Sequence, residues 1–190
     1  MVLFVSKSSN LMKRFLYVIM CLACVAGMVA CGPNREELQQ EILNYEDSVS
    51  EMDIVLDTNV AAHMADLYIQ YADKFAKDSL APVYLFRAAD VMASVGNVNR
   101  SVECLDRIID NYPDYEDLGG CYFLKGFAFE MGERYDEAKA VYNEFVKRFP
   151  DHPLANDTRA MLPYIGMAPE QMLEQIIANS DNQADMLTQK

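Results

Sequence analysis

Metal binding and nucleophilic catalysis need small sets of His, Cys, Asp or Glu at short, defined spacings. In this sequence the histidines are His63 and His152, far apart in the chain, and neither has a second His or Cys at ligand spacing. His63 lies three residues before Asp66, on one side of a helix, which predicts a solvated or half-buried imidazole and not a metal ligand. The acidic run Asp114, Glu116 and Asp117 has the charge to draw a hard cation but lacks the spacing of a calcium loop, so a solvated acidic turn is expected. Neither a Gly-x-Ser-x-Gly elbow nor a Gly-x-Gly-x-x-Gly or phosphate-cradling Gly loop occurs, and Gly119-Gly120 is explained as the start of a helix. The residues therefore point away from an enzyme, with no catalytic residue, metal or cofactor expected. Cys104 and Cys121 lie in apolar helical stretches, where the expected role is a small buried hydrophobe and not a disulfide.

The elements that must position these residues are bounded by composition. The chain has 190 residues and a formal charge of -13, from 16 Lys+Arg against 29 Asp+Glu. That balance excludes nucleic-acid binding by phosphate neutralisation, which needs a basic face. The length suits one domain with an appendage, and 52% hydrophobic residues suffice for a core. With 8 Gly, 7 Pro and no Trp, many short strands and tight hairpins are not expected.

The charge is unevenly placed. Residues 1–30 hold Lys7, Lys13 and Arg14 and no acid, which leaves the remainder at -16. A basic start followed by the apolar run from Phe15 to Ala30 reads as a secretory signal. The run covers 16 residues, short of the ~20 that cross a bilayer comfortably, so an uncleaved membrane anchor is the alternative. Met12-Lys13-Arg14 offers a second place for translation to start. The run ends Met28-Val29-Ala30-Cys31-Gly32, which resembles the lipobox of bacterial lipoproteins. Met28 stands where Leu is usual, and Cys24 after Leu22-Ala23 is a weaker competing site. The resemblance implies that Cys31 becomes the acylated first mature residue, after a signal at 1–30 and before a short tether at 31–34. Several acyl chains hold a protein to a membrane firmly, since each buried CH₂ contributes about 0.8 kcal/mol. The same resemblance implies that Gly32 after the Cys favours the outer membrane, with the body expected to face the periplasm.

From Arg35 onward the apolar spacing is helical: Leu38, Ile42 and Tyr45, then Ala65, Tyr68, Ala72 and Phe75, then Ser101, Leu105 and Ile108. The breaks are periodic. Taken as a 34-residue unit, 119–152 places Tyr122, Gly126, Phe129, Ala138, Tyr142, Phe145 and Pro150 at positions 4, 8, 11, 20, 24, 27 and 32. A unit at 82–115 places Leu85, Ala89, Met92, Ser101, Leu105, Ile108 and Pro113 at the same positions. This pattern resembles the tetratricopeptide repeat, with small residues at 8 and 20 where two helices approach and Pro ending the second helix. Lys125, at position 7 where Leu is usual, departs from it. One hairpin cannot cover its own apolar face, and about three stacked units make a stable body. The third is read at about 46–79, as a degenerate hairpin of Arg35 to Leu56 and Asn59 to Lys77. After Pro150 a helix is expected from Pro153 with Asp151 as its cap, then a last short helix from Pro169 to about Ala178, with 179–190 disordered. The domain is thus expected at 35–178, as an all-α solenoid of about 6–8 helices. Over residues 59–178 the chain is similar to small tetratricopeptide lipoproteins of Gram-negative envelopes, with Pro163 and Ala168 departing from them.

In a stack of this kind repeat positions 2, 5, 9, 12 and 13 face the concave side. They hold Val83, Phe86, Asp90, Ala93 and Ser94, then Gly120, Phe123, Phe127, Glu130 and Met131. Phe123, Phe127 and Met131 form an apolar stripe that either lines a groove or packs beneath a neighbouring helix. A groove of this composition suits an amphipathic or extended peptide of another envelope protein, with bases opposite Asp90 and Glu130. The expected function is a membrane-anchored scaffold that recruits such a partner. The alternative is a lipoprotein binding a small molecule or glycan for nutrient uptake, which the lack of Trp disfavours.

Overall fold

Stretches with apolar residues three and four apart, punctuated by Gly, Pro, Asn and Asp, become helices and turns. The computed structural model describes residues 33–51 and 57–188, with side chains placed as far as residue 178. Among the described residues there are eight α-helices and no strand. They are α1 (Arg35–Glu51), α2 (Thr58–Lys74), α3 (Ala81–Ser94), α4 (Val98–Asn111), α5 (Leu118–Met131), α6 (Tyr135–Arg148), α7 (Ala155–Met161) and α8 (Pro169–Thr188). A 3₁₀ turn, Leu162–Tyr164, follows α7. The signal expected at 1–30, the alternative start at Met12 and the acylation expected at Cys31 fall outside the described residues. No helix among the described residues is long and apolar enough to cross a membrane.

The chain divides into two compact units, residues 1–40 and 41–190. In the first, Asn34 and Glu37 cap the start of α1 reciprocally, each side chain accepting the other's backbone N–H at 2.9 and 3.0 Å. In the second, helices α2 to α7 pack each against the next, and α3 also touches α5. The pairs α3–α4 and α5–α6 are hairpins with short turns. Asp57, Asn97 and Asp117 cap α2, α4 and α5 by accepting backbone N–H groups, and each such cap stabilises by about 1 kcal/mol. Repeat position 15 takes a left-handed backbone in both turns, as Gly96 (φ 73°) in one and Glu133 (φ 58°) in the other.

The periodic positions form the core. Ala89 and Ser101 in the first hairpin, and Gly126 and Ala138 in the second, are all buried, and Gly126 lies against the Tyr142 ring of α6. Around the second hairpin, Phe129, Ala138, Tyr142 and Ile165 make one cluster, and Tyr122, Phe145 and Ala155 another, with Phe123 and Val141 packed against both. Cys104 and Cys121 are free, buried thiols, and burial pushes them up to about 11 and about 12. They are neither reactive nor bridged. Lys125, the departure from the repeat, sends its ammonium to Asp106 on α4 at 2.5 Å, so an ion pair replaces the usual apolar contact.

Arg100 pairs with Asp66, and Arg107 with Asp73 at 2.5 Å, each link spanning 34 residues. Two ion pairs thus reach from α4 back to α2. On α1, Tyr45 meets His63 edge-on at 4.7 Å, and Glu46 accepts from Tyr68 at 2.7 Å and Arg87 at 2.8 Å.

The C-terminal elements differ from expectation. Helix α7 begins at Ala155 and not at Pro153, and no side chain caps it. The preceding turn is held instead by the Leu154 N–H donating to His152 Nδ1 at 3.2 Å. Pro163 sits in the 3₁₀ turn that ends α7, as its ring forbids a continuing helix. The helix expected to stop near Ala178 runs to Thr188, through residues expected to be disordered. No Gly or Pro interrupts 170–188, so nothing local stops it. At its start, where Ala168 replaces a Ser cap, Gln171 Oε1 accepts the Ala168 N–H at 3.1 Å.

Ser101 Oγ is fully buried and makes no hydrogen bond. Leaving a hydroxyl in that state costs about 1–3 kcal/mol, and the next unit has Ala138 at the same position. Ser101→Ala is therefore expected to raise the melting temperature by several degrees. An unchanged or lower value would show that the hydroxyl is satisfied in solution.

Candidate partner-binding surface

The first helices of the two hairpins, α3 and α5, carry the ten residues expected to face a groove. The structure sorts them into three groups. Ala93 and Gly120 are buried and offer no surface. A Cβ on Gly120 would fall 2.2 Å from the Asp117 carboxylate, which accepts the Gly120 N–H at 2.9 Å. Gly120 thus serves the cap of α5. Val83, Phe86 and Phe123 are half-buried. Phe123 is held by the rings of Tyr142 and Phe145 on α6, with centroids 5.7 and 5.8 Å away, so it belongs mainly to the core. Asp90, Ser94, Phe127 and Met131 are exposed, Phe127 at 39% and Met131 at 56%.

The apolar stripe is therefore divided. Its Phe123 end packs beneath α6, and its Phe127 and Met131 end faces solvent. Glu130 lies half-buried beside them and accepts from the Tyr142 hydroxyl at 3.1 Å. Burial of the Tyr142 ring and the Glu130 charge both raise that phenol's pKa, so it stays a neutral donor. The carboxylate is fixed in place with one side left toward solvent. Val83 stands apart, in a cleft of about 620 Å³ formed with the loops Ala76–Ser79 and Asn111–Glu116. Glu130 and Met131 open into another, of about 450 Å³, together with Met161, Met167 and Met172. The remaining exposed patch on α3 and α5 is acidic and apolar, a composition that suits a peptide with bases among apolar side chains.

No chemistry gathers around the histidines. Among the described residues no group of three or more His, Cys, Asp or Glu is arranged to hold a metal ion. Asp66 pairs with Arg100 and not with His63. Sequence reasoning missed one contact: His152 Nε2 lies 3.5 Å from Asp117 Oδ1, and its ring meets Phe145 edge-on at 5.1 Å. Nδ1 accepts a backbone N–H, and Nε2 stands beside the carboxylate that caps α5. The imidazole thereby ties the end of one repeat to the start of its own first helix.

The comparisons agree with this architecture. Residues 84–115 and 121–152 each match the family model of the tetratricopeptide repeat. No curated protein and no solved structure matches the chain. Repeats of this family act as scaffolds for protein–protein interaction. The matched segments coincide with the hairpins α3–α4 and α5–α6, and these two hairpins are tetratricopeptide repeats.

Proposed function

We propose that the protein is a lipid-anchored scaffold of the bacterial cell envelope, held to the outer membrane through Cys31 and facing the periplasm, which recruits another envelope protein. The observation that carries the recruiting part is the exposed end of the α5 stripe. Phe127 and Met131 stand in solvent on a helix whose other large side chains are buried or half-buried, with Glu130 beside them. Exposed large apolar residues rimmed by charge mark interaction sites. The anchor rests on the resemblance of Met28-Val29-Ala30-Cys31 to a lipobox.

Two variants test the two halves. Metabolic labelling with a fatty-acid analogue should mark the wild-type chain and leave Cys31→Ser unmarked; an unlabelled wild-type protein ends the anchor reading. In cells, Phe127→Glu should lose a crosslinked partner that the wild type captures while its helical circular dichroism is unchanged. Retention of the partner by the folded variant would remove this surface from the function.

A further inference from the structure

The last helix, α8, carries a surface that the repeats do not use. At 100° per residue, Met172 and Ile176 form one row and Leu173 and Ile177 the next, an apolar arc about one third of the circumference wide. Leu173, Ile176 and Ile177 are 59, 44 and 52% exposed. A helix that ends a stack usually turns a polar face outward to keep the stack soluble. Here three large apolar side chains stand in solvent on the described part of the helix. The Met172 row starts inside the cleft that also holds Met131, Met161 and Met167, so the arc leads into a pocket walled by flexible thioether side chains, which adapt to varied apolar groups.

The charge beside the arc selects what covers it. Glu170 and Glu174 are exposed and lie along one edge of it. Their spacing of 4 sets both acids on the same side of the helix. Between Arg159 and Lys190 the sequence has no Lys or Arg. The edge is thus single-signed among the described side chains. A second copy laid along this face would set acid against acid in a chain already at -13, and an anionic lipid surface would meet the same repulsion.

We propose that α8 is a second docking surface, adjoining the groove on α3 and α5 at Met131, for a basic amphipathic helix of another protein. The guest lays its apolar face on Leu173, Ile176 and Ile177, sets a Lys or Arg row against the acids, and inserts one large side chain into the methionine-walled cleft.

The test uses the full chain and two synthetic amphipathic helices with the same leucine face, one with a lysine row and one with a glutamate row. By fluorescence anisotropy the lysine helix should bind and weaken as salt rises, and the glutamate helix should bind about tenfold or more weakly. Glu170→Lys combined with Glu174→Lys, both at exposed positions, should reverse that preference. Phe127→Glu should leave it intact, which separates this surface from the groove. Equal binding of both helices, no binding of either, or loss of the preference in Phe127→Glu would overturn the proposal. So would a concentration-dependent dimer abolished by Leu173→Glu, which would make a second copy the occupant, or uptake of the wild type but not Leu173→Glu by vesicles of anionic or zwitterionic lipid.

Discussion

Gly126→Val is expected to destabilise the protein by about 3 kcal/mol, although valine has the higher helix propensity and the substitution lies in mid-helix. On an open helix, replacing Gly by a residue with a side chain gains a few tenths of a kcal/mol up to about 1. At position 126 a Cβ would lie 2.6 Å from two carbons of the Tyr142 ring, well inside van der Waals contact. The ring has nowhere to go: it is fully buried, packed among Phe129, Ala138 and Ile165, and tied at its hydroxyl to Glu130. Overpacking of this kind costs about 1–3 kcal/mol for each forced shift, and the two further methyls of valine add to it. Urea denaturation should show a lower midpoint at constant slope. In a Tyr142→Leu background, where the obstructing ring is gone, the cost of Gly126→Val should shrink by about 1 kcal/mol or more. Strict additivity would locate the clash elsewhere.

The second large effect separates core from surface within one aromatic set. Phe145 is fully buried and touches the rings of Phe123, Phe149 and His152 at 5.8, 6.3 and 5.1 Å. Phe145→Ala should cost about 3–5 kcal/mol, the transfer of the ring plus the cavity left behind. For a domain of this size that shifts the melting temperature by roughly 10 °C or more. Phe127→Ala, four residues beyond Phe123, should change stability by less than about 0.5 kcal/mol, as surface substitutions do. Comparable losses in the two variants would mean that Phe127 is covered in solution.

The repeats were legible because their packing leaves a direct trace in residue size. Ala89, Ser101, Gly126 and Ala138 are small where two helices approach, and that requirement recurs with the unit. The candidate surface was less legible for a geometric reason. Phe123, Phe127 and Met131 share one helical stripe, and periodicity cannot say how far along it the next helix reaches. That reach depends on where Tyr142 and Phe145 sit, about twenty residues on. Lys125 looked like a fault in the repeat until Asp106 on α4 answered it.

Other contacts had a signal that was not used. Asp66 and Arg100, Asp73 and Arg107, Asn99 and Arg134, and Asp117 and His152 are each separated by 34 or 35 residues. Complementary side chains spaced by about one repeat are candidates for contact between neighbouring units, and a search at that spacing would have found all four. The extension of α8 past Ala178 left no such mark, because a helix continues by default where nothing breaks it.

The paired links from α2 to α4 do something their strength does not suggest. Each is a half-exposed ion pair contributing no more than about 1 kcal/mol. Asp66 and Asp73 are seven residues apart, and so are Arg100 and Arg107, so both pairs close in one alignment of the helices. Sliding α4 by one turn sets Arg100 against Ala62 or Gln70 and Arg107 against Ile69 or Lys77, and both pairs are lost together. The links thus work as a two-toothed key. They favour one phase of α4 against α2, in addition to the packing of Tyr68 and Tyr71 on Tyr84 that joins α2 to α3.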